Sequence, residues 1–89
     1  MNWKKRYNKL ISSPNLEPKI GMKVKGLKSI EGNESIKSGI GKITVIEGND
    51  FDIGIDWDAT VNGYDYMDYG NNIWFVNKTD WNNGTLQIL

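Results

Sequence analysis

The chain has 89 residues and contains neither cysteine nor histidine. That excludes a disulfide framework and a thiolate metal site, and it removes the commonest general base, the commonest zinc ligand and the histidine of serine or cysteine triads. Net charge is zero but unevenly placed: residues 1–42 carry ten Lys/Arg against three Glu, a balance of +7, and residues 43–89 carry Lys78 against eight acids, a balance of −7.

A chain of this length makes one domain. Residues 2–13 predict a short amphipathic helix, because Trp3, Tyr7, Leu10 and Ile11 recur at i, i+4, i+7 and i+8 while Lys4, Lys5, Arg6, Asn8 and Lys9 fill the other face. Ser12-Ser13-Pro14 ends it, since the residue before proline avoids the helical region. Residues 14–21, with Pro14 and Pro18, read as an extended linker. The period then changes to two. Met22 and Val24 alternate with Lys23 and Lys25 in a first strand; residues 29–39 are a polar loop; Ile40–Ile46 is a β-branched second strand. Glu47-Gly48-Asn49-Asp50 is a turn. The third strand is the clearest, with Phe51, Ile53, Ile55 and Trp57 on one face and Asp52, Gly54, Asp56 and Asp58 on the other.

After a loop over 59–63, Tyr64, Tyr66 and Met67 lead into Asp68-Tyr69-Gly70-Asn71-Asn72. Ile73–Val76 is the fourth strand, Asn77–Trp81 one helical turn with Trp81 returned to the core, and Thr85–Leu89 the fifth strand. The expected architecture is mostly β: a small five-stranded barrel over residues 20–89, preceded by a basic helix and linker over 1–19.

Residues 20–81 carry a family resemblance. Gly39-Ile40-Gly41, Trp57-Asp58, Asn62-Gly63-Tyr64, Tyr69-Gly70, Trp74-Phe75-Val76 and Asp80-Trp81 stand where small SH3-like barrel domains of phage and bacterial proteins have their motifs, and the run is similar, more distantly, to the mind-bomb-type SH3-like domains of some ubiquitin ligases. The resemblance covers about two-thirds of the chain and implies an SH3-like fold and an accessory binding protein. It does not account for the N-terminal segment or the last strand.

Three groups of residues are candidates for function. Tyr64, Tyr66, Tyr69, Trp74, Phe75 and Trp81, with Trp57, exceed what one small core hides, and Trp74 and Phe75 must face opposite sides of their strand. Exposed, they would anchor a partner; otherwise they cap the ends of the barrel with Tyr hydroxyls in water. Asp52, Asp56, Asp58, Asp65 and Asp68 are acidic neighbours of that set. They read first as a solvated strand face that discourages edge pairing. In a row they would also mimic nucleic-acid phosphates, and their spacing does not match a calcium loop. Trp3, Lys4, Lys5, Arg6, Tyr7 and Lys9, with Lys23 and Lys25, would serve nucleic acid; docking on the acidic barrel, on a partner's acidic groove or at a membrane surface are the other uses of such a segment.

The expected function is therefore a non-catalytic module, cytoplasmic and without metal or cofactor, that binds a protein and modulates a host or defence complex. Direct nucleic-acid binding is the alternative. No phosphate loop, dinucleotide fingerprint or metal-hydrolase motif is present in the sequence, and no apolar run approaches the roughly 20 residues that span a bilayer.

Overall fold

The computed structural model describes residues 17–48 and 52–89. Six strands form one antiparallel sheet: β1 (Lys23–Gly26), β2 (Ile40–Glu47), β3 (Asp52–Trp57), β4 (Tyr64–Tyr66), β5 (Gly70–Asn77) and β6 (Leu86–Ile88), in the order β4-β5-β3-β2-β1-β6. A 3₁₀ turn (Glu34–Ile36) lies between β1 and β2, and one short helix, α1 (Lys78–Asn82), between β5 and β6.

Two expectations are corrected. Among the described residues the strands number six, because Tyr64–Tyr66, too short to show a period of its own, pairs with β5 through Tyr64↔Ile73 and Tyr66↔Gly70. The sheet is also open: β4 and β6 stand at opposite edges and do not pair, so no barrel closes. The helix expected over 2–13 and the inward place expected for Phe51 lie outside the described residues.

Register divides the sheet into two faces. On the inner face Ile53, Ile55 and Trp57 of β3 lie beside Ile46, Ile43 and Gly41 of β2, while Val76 and Trp74 of β5 lie beside Ile53 and Ile55. Val24, Ile43, Ile53, Ile55 and Val76 have no exposed surface there. Each such side chain contributes roughly 1.5–3 kcal/mol by leaving water, which makes this strip the main source of stability. Helix α1 starts where the Asn77 side chain accepts the Asp80 N–H at 2.8 Å, a sound N-cap, and it buries Trp81 in the same cluster as expected.

The polar loop between β1 and β2 is less polar than its composition. Ile30 and Ile36 are fully buried and join the core. The loop lies tight against β1 because position 26 is glycine: a Cβ there would stand 2.0 Å from the Ile36 carbonyl oxygen. Among the described residues no helix is long and apolar enough to cross a membrane.

Candidate functional site

The aromatic candidates separate into two groups. On the outer face of the sheet Tyr66 and Tyr69 stack, with ring centroids 5.8 Å apart and planes 23° apart, and Tyr66 meets Phe75 edge-on at 5.1 Å. Phe75 lies opposite Gly54 of β3, which in turn lies opposite Val45 of β2. Glycine is required at that crossing, since a Cβ on residue 54 would approach a Val45 methyl to 2.4 Å and the Phe75 ring to 3.2 Å. Val45 is on this face because β2 shifts register between Ile43 and Val45, a bulge that puts Val45 on the outer face and Ile46 on the inner one.

The second group is Tyr64 with Trp74, edge to face at 6.0 Å. Trp74 packs against the core, and its indole N–H donates to the Ile30 carbonyl at 3.1 Å. Its polar edge is thus spent on holding the β1–β2 loop. Trp57 donates to the Trp74 carbonyl at 3.3 Å. As the alternation requires, Trp74 and Phe75 face opposite sides, and both are half-buried.

The acidic residues differ in what they do. Asp52 and Glu47 are cross-strand neighbours, both exposed, at the end of the outer face next to Phe75. The Tyr66 hydroxyl points between the two Glu47 carboxylate oxygens, at 3.4 and 3.3 Å. Burial of its ring, with the negative charge of Glu47 next in weight, pushes the Tyr66 phenol above its ordinary pKa. Asp56 accepts the Asn72 N–H at 3.2 Å. Asp58 is a turn residue: it accepts the Thr60 hydroxyl, the Thr60 N–H at 3.1 Å and the Ile40 N–H at 3.1 Å. The Thr60 hydroxyl chiefly, helped by those two backbone donors and opposed by burial, holds the Asp58 carboxyl below the usual range. Asp65 and Asp68 are exposed, on β4 and in the turn that follows it.

Asp52 and Asp56 share the outer face of β3, and Asp56, with Asp58 just after the strand, accepts backbone N–H groups. Among the described residues no three acidic side chains group closely enough to hold a metal ion.

Lysines occupy the other half of the outer face. Lys23, Lys42 and Asp56 form one cross-strand row, and Lys25 lies opposite Ile40, which is exposed. Lys23, Ile40, Lys42, Asp56 and Asp58 line an open cleft of about 360 Å³ at the seam between the basic and acidic halves. The charge asymmetry of the sequence is thus laid out side by side across one surface. Trp3, Lys4, Lys5, Arg6, Tyr7 and Lys9 lie outside the described residues.

Sequence reasoning missed Asn72. Its side-chain oxygen accepts the Gly63 N–H at 2.8 Å, and its amide nitrogen donates to the Asp58 and Val61 carbonyls at 2.8 and 2.9 Å. It clamps the 58–63 turn to β5 and so sets where β4 begins. Nothing in a run of two asparagines marks one of them for this role. No family model, curated protein or solved structure matches the chain.

Proposed function

We propose that this chain is a non-catalytic binding module that takes a protein partner on the outer face of its sheet, at the patch formed by Tyr66, Tyr69 and Phe75 and edged by Glu47, Asp52, Asp65 and Asp68. The observation that carries this reading is the stacked Tyr66–Tyr69 pair standing over Phe75 with Tyr69 still 40% exposed. Aromatic rings held rigid before binding lose little conformational freedom on contact, and they dominate protein interfaces for that reason. Tyr64, 45% exposed beside Trp74, extends the same edge of the sheet. The connectivity supports an SH3-like descent without a closed barrel: β1 lies between β2 and β6, and a single helical turn precedes the last strand. A phage or bacterial accessory protein that modulates a host or defence complex is the setting this proposal favours.

The test is affinity capture from a bacterial lysate, with and without nuclease, using the wild-type chain and the Tyr69→Ser variant. One complex retained by the wild type after nuclease and lost by the variant, at an unchanged melting temperature, supports the reading. Equal capture by both chains removes it.

A second reading, nucleic-acid binding, is favoured by one observation: Lys23, Lys25 and Lys42 share the outer face, with Lys23 directly opposite Lys42. Like charges placed opposite each other destabilise a sheet, so the pair invites an anion. That reading requires affinity that falls steeply with salt.

A further inference from the structure

We propose that two copies of this chain associate through their outer faces, each setting the tip of its β4–β5 turn into the cleft of the other, with Met67 against Ile40 and Asp68 toward Lys23 and Lys42. The inference rests on the reading of this end of the sheet as a binding surface, and it names a second copy as the occupant in the free protein.

The first observation is shape. Tyr66 pairs with Gly70 at the start of β5, yet its ring meets Phe75, five residues further on, and its hydroxyl reaches Glu47 on β2. Along a straight strand those five residues span roughly 17 Å, more than a tyrosine reaches. The hairpin of β4 and β5 therefore bends over the outer face. Two further facts agree. A Cβ on Gly70 would stand 2.6 Å from the Asp56 carboxyl carbon, and Ile73, paired with Asp56, has no exposed surface. The hairpin thus rises above one half of the face. The other half is bare, with Lys23 and Lys42 exposed and Ile40 45% exposed beside the cleft.

The second observation is the tip. The Tyr69 N–H donates to the Tyr66 carbonyl at 3.0 Å, closing a turn. Met67 stands in that turn, 78% exposed and with a φ of 48°. A left-handed backbone suits glycine or asparagine, and a large apolar side chain belongs in the core. Departing from both rules at one position points to a functional contact. At that exposure Met67 does not enter the cleft of its own chain.

The third is charge. Lys23 and Lys42 stand opposite each other on β1 and β2, a destabilising arrangement for like charges, and among the described residues neither forms an ion pair. The carboxylates that line the cleft, Asp56 and Asp58, accept backbone N–H groups. Asp68, exposed next to Met67, brings the two lysines the anion that their pairing lacks.

Tip and cleft belong to one face of each molecule, so both contacts form at once around a two-fold axis. Each contact is small, and once one has formed the other is effectively intramolecular.

The experiment is sedimentation of the full chain over a range of concentration and salt. The wild type is expected to pass from one copy to two as concentration rises, and back to one as salt screens the charges. Asp68→Lys, and separately Lys23→Glu combined with Lys42→Glu, are each expected to stay monomeric at an unchanged melting temperature, because like charges then meet at both contacts. An equal mixture of the two variants should regain the dimer, since every tip in it meets a cleft of opposite charge. Between differently labelled wild-type copies, the Met67 methyl should show through-space contacts to the Ile40 methyls, a readout that holds even where a variant fails to fold. A wild type that stays monomeric overturns the proposal, as does a dimer that neither variant weakens, a folded mixture that does not associate, or growth beyond two copies. The two proposals fail separately. Self-association without any effect of Tyr69→Ser on capture leaves the dimer and removes the partner site, and capture by a chain that never dimerises removes the dimer alone.

Discussion

The indole N–H of Trp74 donates to the carbonyl of Ile30, 44 positions earlier in the chain, at 3.1 Å. That bond joins a central strand to a loop whose own anchors, Ile30 and Ile36, are buried in the core. Phenylalanine at position 74 keeps most of the packing and removes this donor, leaving the Ile30 carbonyl with the Asn33 N–H, at 2.9 Å, as its remaining partner. Trp74→Phe is expected to cost about 0.5–1.5 kcal/mol, the usual net contribution of one hydrogen bond. Urea unfolding checks the amount, and amide exchange should quicken in residues 27–39 before it does in β3. An unchanged midpoint would mean that the loop is held by the isoleucines alone.

Tyr66 should ionise late. Burial and the Glu47 charge both raise its pKa, so the neutral phenol is the form that the fold prefers. The sign follows from this: the contribution to stability is fully present below the ordinary phenol value of about 10 and is lost as pH rises through the higher folded value. Ultraviolet difference titration should show one phenol lagging behind the others. Glu47→Gln should move that titration back toward the ordinary value without changing the Tyr66–Tyr69 stack, and a titration indifferent to residue 47 would mean that burial acts alone.

How much of this was legible in the residues depends on how local each signal is. The alternation of Ile53, Ile55 and Trp57 against Asp52 and Asp56 gave β3 its faces correctly, because a period of two leaves no other way to bury three large apolar groups. Trp81 was legible too, as a single apolar residue in a polar turn before a strand. The open sheet was not, since whether the edges meet depends on the accumulated twist and on β4, three residues with no period to read. Charge alone does not show which carboxylates are hydrogen-bonded: Asp58 closes a turn with Thr60 and Ile40, Asp56 receives the Asn72 N–H, and Asp52 is exposed beside Glu47. The patch itself depends on a bulge at Val45 and a glycine at 54, neither of which announces that Phe75 and Val45 will flank that glycine.

Asn72→Ala should loosen the 58–63 turn. Its amide satisfies the Gly63 N–H and the carbonyls of Asp58 and Val61. Removing those bonds together is expected to destabilise the protein by roughly 2–4 kcal/mol, somewhat more than the loss of one buried partner. Chemical denaturation measures it. Asn72→Asp is the sharper control, because it keeps the acceptor for Gly63 and loses the donors; it should fall between the wild type and the alanine variant.

Gly54→Ala should disturb the patch from below. The added methyl meets both Val45 and Phe75, and overpacking of this kind costs about 1–3 kcal/mol. The more telling readout is the ring-current shift of Phe75 and Tyr66, which should change while signals from the inner face, Ile43 and Ile55, stay near their wild-type positions. A variant with wild-type stability and unmoved aromatic signals would show that the outer face tolerates a larger residue at its centre.

Asp58 supplies the acid limb of stability. Its carboxyl is held below the usual range, chiefly by the Thr60 hydroxyl and then by the backbone N–H groups of Ile40 and Thr60. A depressed folded value means that the contribution is present above the unfolded aspartate value of about 3.9 and disappears as pH falls through the lower folded one. Melting temperature should therefore decline below about pH 4 in the wild type, and Thr60→Ala, which removes the largest cause, should bring the Asp58 titration closer to the ordinary value, so that its share of the decline becomes smaller and ends at a higher pH. Carbon-detected titration of the Asp58 carboxyl follows the group directly. If its midpoint in Thr60→Ala matches the wild type, the backbone donors alone hold the charge, and the turn is closed from the β2 side by Ile40.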